Sequence, residues 1–478
     1  FKQKTAYEIP LRLVGSEMCI RDSSYIITAL LSLGGCAQVE EPVAPQSNSP
    51  DKDLSIYLEG LLETARAMPT SALARGRLGM AYDVNGLQEE ALLTYQQAAA
   101  LDSTDFRWPY YSAHLVVKGG EYDQALVLLE RALNIDNKYA PGWLWRGSWL
   151  LKAGLYQEAI AAFERANELN PGVESEFGLA QVLIPLGRYN EALEKLNTVL
   201  KFTTHPYIYR TLGEVLRALD STDEARVAMI RGKEAAALDY TDNLLASRSD
   251  HLRGHSSFQY AQQLSASGRP NEALVILQRL QIYYPENSCG SEEGIVLSCN
   301  LMNSSGIAYD RAGLPSRALE ILHRGIKLNE DYIPFHITLG NLYRRQGNLA
   351  KALEHIDRAI VLNPARGYTH EQRGRVLFGL SLFDDAQNAF TRALELAPQK
   401  RTTLFYLGLT ALEMNNWGDA LRYFENVTRV EPSFAIGYVF VARSLAELGR
   451  FEDSRKAQLE AQQYLSLIHI SEHTRRRG

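Results

Sequence analysis

Few residues in this chain have the types and spacing that catalysis or metal binding requires. The 478 residues include four cysteines, Cys19, Cys36, Cys289 and Cys299, and their spacing forms neither a CxxC redox pair nor a CxxCH haem site. His251 and His255 could share one helix face and bind a metal ion, but no third ligand is evident nearby, and exposed loop histidines are the alternative. No phosphate-binding loop, HExxH or GxSxG motif occurs. We predict no catalytic residues, no metal and no cofactor, and hence no enzyme.

The composition indicates a globular chain without the charge of a nucleic-acid-binding protein. Hydrophobic residues make up 46% and charged residues 22%, which is too apolar for a disordered chain. The formal net charge is −6, whereas nucleic-acid-binding domains are usually basic. No run of about 18 apolar residues is present to span a bilayer as a helix. We therefore expect protein or peptide partners and no nucleic acid.

The two ends of the chain are related through their DNA. One set of codons for Glu17–Ser23 has a reverse complement that translates as Leu-Ser-Leu-Ile-His-Ile-Ser, and this is the sequence of residues 465–471. The string resembles the translated transposase adapter of sequencing libraries. We therefore predict that residues 1–23 and 465–478 are adapter sequence, and they are left out of the reasoning on the fold. Native tails are the alternative.

Residues 24–36 have the pattern of an export signal. About ten mostly apolar residues end in Leu33-Gly34-Gly35-Cys36, and this stretch is too short to span a membrane. The last four residues resemble a bacterial lipobox, which implies that Cys36 is lipidated and that residues 37–71 form a Pro-rich tether and a leading helix. In such lipoproteins an alanine after the cysteine, here Ala37, goes with the outer membrane, so we expect a periplasm-facing lipoprotein there. An ordinary signal peptide or a buried apolar turn is the alternative.

The rest of the chain follows one period. Small residues recur at steps of 34, 34, 33, 33, 48, 45, 34, 34, 34 and 34 residues. They are Ala91, Ala125, Ala159, Ala192, Ala225, Ala273, Ala318, Ala352, Ala386, Ala420 and Ser454. A sustained period of this length is typical of a solenoid and argues against a doubly wound or barrel fold.

The clearest unit contains Trp143, Gly147, Leu150, Gly154, Ala159, Phe163, Ala166, Leu169 and Pro171. It resembles the tetratricopeptide repeat, and 11 such units, or 22 helices, cover most of residues 72–464. The resemblance implies an all-α, right-handed superhelical solenoid of helix–turn–helix repeats. Recurring mid-helix glycines such as Gly147 predict close helix packing, loop glycines such as Gly154 predict a left-handed turn, and prolines such as Pro171 predict the end of the second helix.

Two irregular steps predict insertions. We place units 1–5 at residues 72–235, unit 6 at 254–287 and units 7–11 at 299–464, with insertions at 236–253 and 288–298. Cys289 and Cys299 flank the second insertion, and they are the cysteines that remain once the other two are assigned to the adapter and the lipobox. Because a lipid anchor implies an oxidising compartment, we predict a Cys289–Cys299 disulfide. Two buried thiols are the alternative.

In tetratricopeptide arrays the first helix of each unit lines a groove, and the resemblance implies partner-binding positions there. The polar ones are Tyr207, Arg210, Arg217, Asn341, Arg344, Arg345, Tyr368, Arg375 and Arg443, and the apolar ones, in the first units, are Met80, Tyr110, Leu144 and Phe177. Arginines bind carboxylates through paired hydrogen bonds, so a partner with acidic segments is expected. The alternative is that these arginines pair with neighbouring Asp and Glu. Of the family's carboxylate clamp, only Asn341 fits.

These features together favour a protein–protein interaction scaffold, anchored by lipid in the bacterial cell envelope. Two other functions remain open. One is the recruiting arm of a larger enzyme, such as a glycosyltransferase, whose catalytic domain lies outside this sequence. The other is a periplasmic assembly chaperone, for which apolar contacts should dominate the groove.

Overall fold

A computed structural model describes residues 39–46, 51–233, 236–290 and 295–475. The predicted adapter at 1–23 and the predicted signal segment at 24–36, with Cys36, lie outside these residues, as do the side chains of 465–475. Val39 and Glu40 are extended and exposed and belong to a separate unit. Everything that follows concerns the unit that begins at Glu41.

The described residues form 24 α-helices, two short 3₁₀ helices and no strand. The α-helices are α1 (Lys52–Ala67), α2 (Ala72–Val84), α3 (Gln88–Leu101), α4 (Arg107–Lys118), α5 (Tyr122–Ile135), α6 (Ala140–Lys152), α7 (Tyr156–Leu169), α8 (Val173–Leu183), α9 (Tyr189–Val199), α10 (Pro206–Ala218), α11 (Thr222–Arg231), α12 (Asn243–Ser247), α13 (Gly254–Ala266), α14 (Pro270–Tyr283), α15 (Ile295–Arg311), α16 (Pro315–Leu328), α17 (Ile333–Arg345), α18 (Leu349–Leu362), α19 (Gly367–Gly379), α20 (Phe383–Leu396), α21 (Arg401–Glu413), α22 (Trp417–Val430), α23 (Ala435–Glu447) and α24 (Phe451–Arg475). None of them is both long and apolar enough to cross a membrane, as far as the described residues extend.

The helices pack as consecutive helix–turn–helix units. The pairs run from α2–α3 to α10–α11 and from α13–α14 to α23–α24, and within each group the second helix of one unit packs on the first helix of the next. The predicted all-α repeat fold is therefore confirmed. Helix α1 packs on α2 and is the predicted leading helix. Before it, residues 41–46 lie against the first unit, where the Tyr82 hydroxyl donates to the Val43 carbonyl at 2.8 Å.

Glycine allows the two helices of a unit to approach each other. A Cβ atom on Gly147 would lie 2.8 Å from the ring of Phe163, and one on Gly374 would lie 2.6 Å from the ring of Phe390. Since real Cβ atoms do not come that close, only glycine fits opposite these rings. Both rings are fully buried, so the predicted close packing of the two helices is a contact between a glycine and an aromatic ring.

The turn inside most units depends on the left-handed backbone. The predicted loop glycines, among them Gly86, Gly154 and Gly347, have φ between +71° and +87°, a region that costs glycine little. In units without a loop glycine, Asp220, Ser381 and Asn415 adopt it instead. Where a unit ends in a proline, its place is as expected: Pro171, for example, follows the last residue of α7 by two positions.

The stack is interrupted between unit 5 and unit 6. Helix α13 does not continue the stack on α11 in the described residues; α13 and α14 pack against α1 instead. The contact is polar: the backbone N–H of Gly254 donates to Asp53 at 2.8 Å, and that of His255 donates to Asp51 at 2.8 Å. Gly254 has φ +51°, and a Cβ atom there would overlap the Asp51 carboxylate. A glycine is therefore required where the two groups of repeats meet.

The second irregular region is compact. Residues 286–290 form a 3₁₀ helix and α15 begins at Ile295, so residues 295–298 of the predicted insertion are helical. The sulfur atoms of Cys289 and Cys299 are joined at 2.01 Å, with the Cα atoms 4.7 Å apart. Both residues are fully buried in the core of the adjoining units. The bond therefore ties the 3₁₀ helix to α15.

We expect Gly374→Ala to lower the free energy of unfolding by about 1–3 kcal/mol, because the added methyl group displaces the Phe390 ring and α20 with it. The matched control is Gly418→Ala, since a Cβ atom at Gly418 meets nothing within 4 Å and alanine is the better helix former. Urea denaturation of both variants measures the difference. Equal effects of the two substitutions would contradict the packing role of Gly374.

We expect reductant to lower the thermal midpoint of the protein. Closing a loop of about ten residues stabilises a protein by roughly 2–3 kcal/mol in the chain-entropy model. The control is the double variant Cys289→Ala, Cys299→Ala, whose midpoint should not respond to reductant. A midpoint of the parent protein that is the same with and without reductant would show that the thiols are not bonded in solution.

Candidate partner-binding surfaces

The first helices of the repeats present two surfaces of different chemistry. We call the first-helix face of units 1–5, formed by α2, α4, α6, α8 and α10, the N-terminal groove. The first-helix face of units 8–10, formed by α17, α19 and α21, is called the C-terminal groove. The N-terminal groove is aromatic and filled, and the C-terminal groove is basic and open.

Aromatic side chains line the centre of the N-terminal groove. The His114 ring lies edge-on to Tyr110, Trp145 and Trp149, with ring centres 4.6–5.0 Å apart. Burial, followed by the charge of Arg248, lowers the pKa of His114 well below its ordinary value. His114 is therefore neutral at physiological pH and acts as one more ring of the aromatic wall.

The first insertion lies along this groove. We call residues 236–253 the strap; they connect α11 to α13. Leu238 packs on the core formed by α8, α9 and α10, and the Tyr240 ring lies edge-on to Trp145 of α6 at 4.9 Å. Leu244 and Leu245 then pack on the core of the first units. The strap thus runs back from unit 5 towards unit 1, antiparallel to the order of the repeats.

The strap is held at its centre by one carboxylate. Asp242 is 7% exposed, and it accepts hydrogen bonds from the Tyr110 hydroxyl, from the Tyr139 hydroxyl at 2.7 Å and from the Trp145 indole N–H at 3.2 Å. The same carboxylate caps α12 by accepting from the N–H groups of Leu244 and Leu245. Burial is the main reason that the pKa values of Tyr110 and Tyr139 are raised, so both hydroxyls remain donors.

The end of the strap is held by a buried ion pair. The guanidinium group of Arg248 contacts the fully buried carboxylate of Asp83 on α2, which Lys118 also contacts at 2.8 Å. The Arg248 guanidinium lies 5.4 Å from the centre of the Tyr111 ring. Asn85 then pairs with the strap backbone, donating to the carbonyl of residue 251 at 2.9 Å and accepting from the N–H of residue 253 at 3.0 Å. The strap is therefore a docked segment along most of its length.

The two histidines considered for metal binding have other partners. His251 Nδ1 forms a hydrogen bond with the Tyr57 hydroxyl at 2.6 Å, and His255 Nε2 forms one with the Gln259 side chain at 2.9 Å. In the described part of the chain no group of three His, Cys, Asp or Glu residues is arranged to hold a metal ion.

The C-terminal groove contains two adjacent arginines. Arg344 of α17 and Arg375 of α19 are both half-buried, and neither forms an ion pair with a described residue. Burial, and after it the positive charge of Arg375, lowers the pKa of Arg344. The Nε atom of each has no hydrogen-bond partner among the described residues. The Arg375 guanidinium lies 5.1 Å from the centre of the Tyr406 ring.

Other polar side chains of α17 and α19 line a neighbouring cavity. The Asn341 amide donates to the Tyr368 hydroxyl at 3.3 Å, and Tyr368 is 39% exposed. Both line a cavity of about 330 Å³ between α15, α17 and α19, together with Arg345 and Arg366. Arg345 forms an ion pair there with Asp310. Three of the predicted binding residues, Asn341, Arg345 and Tyr368, thus line this cavity, and Arg344 and Arg375 are not among its lining residues.

The other predicted binding residues lie elsewhere. Tyr207 and Arg210 line a cavity of about 290 Å³ between α8 and α10, at the end of the groove where the strap enters, and Arg210 is 3.7 Å from Glu214. Arg217 on α10 and Arg443 on α23 are exposed. The alternative, that the groove arginines pair with neighbouring Asp and Glu, therefore holds for Arg210 and Arg345 but not for Arg344 or Arg375. The binding role of all nine residues stays a prediction.

The sequence reasoning missed the role of the strap. Residues 236–253 are predicted only as an irregular insertion. In the structure Leu238, Tyr240 and Asp242 are at least partly buried and alternate with exposed residues. Such alternation is the pattern of a segment with one buried side. The apolar groove positions of the first units, Tyr110 among them, were noted, but nothing local connects them to a segment 132 residues away.

Comparison with known sequences identifies the repeat. Sequence profiles described as tetratricopeptide repeat match residues 140–173, 334–366, 372–413 and 407–464. The chain contains tetratricopeptide repeats. Superkiller complex protein 3 of Homo sapiens is 24% identical over 226 residues, which are 46% of this chain and 14% of that protein. BBSome complex member BBS4 of Bos taurus is 23% identical over 288 residues, which are 59% of this chain and 50% of that protein. The chain thus spans half or less of these two relatives.

Solved structures of similar proteins cover part of the chain. PilW, titled a widely conserved type IV pilus biogenesis factor, is 16% identical with a TM-score of 0.38, covering 43% of this chain and 90% of PilW. YrrB, titled a TPR protein with an unusual peptide-binding site, is 18% identical with a TM-score of 0.32, covering 37% of this chain and 91% of YrrB.

We expect Arg375→Gln to change the free energy of unfolding by less than about 0.5 kcal/mol, because the relief of repulsion with Arg344 offsets the lost contact with Tyr406. Arg401→Gln is the control, since Arg401 pairs with Glu431 at 2.9 Å and lies over the Phe434 ring; it should lose about 1 kcal/mol. Urea denaturation of the two variants provides the comparison. A larger loss for Arg375→Gln would mean that this residue serves the fold.

Proposed function

We propose that this protein is a non-catalytic interaction scaffold whose C-terminal groove binds an extended, acidic segment of a partner protein. Tetratricopeptide repeats typically mediate protein–protein interactions, and the chain contains them. The observation that supports the finer proposal is that Arg344 and Arg375, on the neighbouring first helices α17 and α19, are half-buried and form no ion pair with a described residue. A fold stabilised for its own sake would neutralise such a pair, whereas a binding site keeps it for a ligand.

The chemistry of the groove suits a carboxylate. A guanidinium group offers its N–H donors in a fixed planar fork that matches two carboxylate oxygens. The Tyr368 hydroxyl and the Asn341 amide line the cavity between α15, α17 and α19 and offer neutral donors to a second acceptor, such as a peptide carbonyl. The Tyr406 ring supports Arg375 from one face, which limits the side-chain entropy lost on binding. An assembly chaperone would favour apolar contacts instead, and the open groove is basic.

The place of the scaffold in the cell is a further part of the proposal. The lipobox-like residues Leu33–Cys36 support a lipid anchor at Cys36 and a periplasm-facing position on a bacterial outer membrane.

The binding proposal predicts charge-dependent peptide capture. The probe is a fluorescein-labelled decapeptide with alternating Asp and Ala, and the matched probe has Asn in place of each Asp. We expect the double variant Arg344→Glu, Arg375→Glu to bind the acidic probe at least about tenfold more weakly in fluorescence anisotropy, because two attractive contacts become repulsive. Binding of the acidic probe should also fall as salt is raised.

Arg392→Glu is the control variant, because Arg392 is exposed on α20, a second helix, where it pairs with Glu395 outside both grooves. It should bind the acidic probe as the parent protein does. The proposal fails if the parent protein binds the Asp and Asn probes equally, or if the control variant loses as much affinity as the double variant.

A further inference from the structure

The strap occupies the N-terminal groove in the way that a bound peptide would. Residues 236–242 form no helix, and the contacts of the strap follow the repeats in reverse order: α8–α10 at Leu238, α6 at Tyr240, α4 and α6 at Asp242, and α2 at Arg248. A connection that only had to join α11 to α13 would not need a specific contact at each unit along the way.

The side chains of the strap divide by chemistry between groove and solvent. Leu238, Tyr240 and Asp242 face the groove, while Asp239 and Thr241 between them are exposed. The strap therefore forms a single layer on the groove, covered by solvent on its outer side. A segment in this position can leave without opening the cores of the repeats beneath it, which are built from the packed helix pairs.

The N-terminal groove presents hydrogen-bond donors that favour a carboxylate. Three neutral donors from two helices, the Tyr110 and Tyr139 hydroxyls and the Trp145 indole N–H, converge on one carboxylate. If that carboxylate left, water would reach the three donors, and the hydrogen bonds they form with a neutral water are weaker than those with a charged carboxylate. The empty groove therefore favours another carboxylate in the same place.

We propose that the strap is a resident, displaceable ligand of the N-terminal groove. The groove recognises an extended peptide with apolar, aromatic and acidic side chains at alternate positions, the pattern of Leu238, Tyr240 and Asp242. The strap is itself such a peptide. A partner segment of the same chemistry can therefore bind this groove only by displacing the strap. This site is separate from the basic C-terminal groove, and it recognises its carboxylate by neutral donors, not by arginines.

The test uses the strap as a peptide added from solution. The probe is a fluorescein-labelled peptide of residues 236–248. The protein is the full chain with Leu238, Tyr240, Asp242 and Leu244 all replaced by serine, which frees the groove and keeps the connection. We expect this variant to bind the probe at least about tenfold more tightly than the parent chain, in which the strap competes at high effective concentration.

Two matched peptides test the specificity. A probe with Asp242→Asn should bind the freed groove at least about tenfold more weakly, because an amide cannot accept all three hydrogen bonds as the carboxylate does. A probe with Asp239→Asn should bind as the parent probe does, since Asp239 faces solvent. The proposal is overturned if the folded serine variant does not bind the probe, or if it binds the three peptides with equal affinity.

Hydrogen exchange of the full chain keeps the proposal testable if the serine variant does not fold. In Asp242→Asn the backbone amides of residues 238–248 should exchange at least about tenfold faster than in Asp239→Asn, while those of α4 and α6 keep their protection. Equal protection of the strap in the two variants would overturn the proposal, and so would a loss of protection throughout α4 and α6. Because Arg344 and Arg375 take no part in either measurement, a failed result at the C-terminal groove leaves this outcome unaffected.

Discussion

The close approach of the two helices inside each repeat is the constraint on which the remaining structure depends. Glycines such as Gly147 and Gly374 lie against the aromatic rings Phe163 and Phe390 with no room for a side chain. This contact sets the spacing of the helices in the unit, and the stacking of units then lines up their first helices on one face. Both grooves consist of residues on those first helices. The chemistry at the surface is therefore positioned by a steric contact in the core.

The two grooves differ in whether their charged side chains have partners. In the N-terminal groove, the Asp242 carboxylate is buried and fully supplied with neutral donors, as a buried charge requires. In the C-terminal groove, Arg344 and Arg375 repel each other, and no carboxylate balances them in the part of the chain described. Buried polar groups that are satisfied stabilise a specific arrangement, whereas unsatisfied ones are common where a ligand is to bind. The same fold thus carries one filled and one open site.

Local sequence patterns predicted the repeat, but they did not predict the contacts between residues far apart in the chain. The left-handed turns at Gly86 and Gly154 and the helix end before Pro171 depend on a few neighbouring residues, so the sequence alone revealed them. The groove arginines could be mapped because each unit repeats the same register. In contrast, Asp83 and Arg248 form an ion pair although they lie 165 residues apart in the chain, and no local sequence pattern identifies such partners. The path of the strap decides that α13 packs on α1 and not on α11, and the period of the repeats does not predict this path.

The path of the strap has a consequence for how the chain folds. Contacts in a repeat array are mostly local, so folding can begin in any unit and spread to its neighbours. Here the N–H of His255 reaches back 204 residues to Asp51, a separation that makes loop closure slow. The groove must exist before the strap can enter it, and during synthesis the first five units leave the ribosome first. The rate-limiting step of folding is then expected to be this late closure between the leading helix α1 and the sixth repeat, while the pairing of adjacent helices is fast.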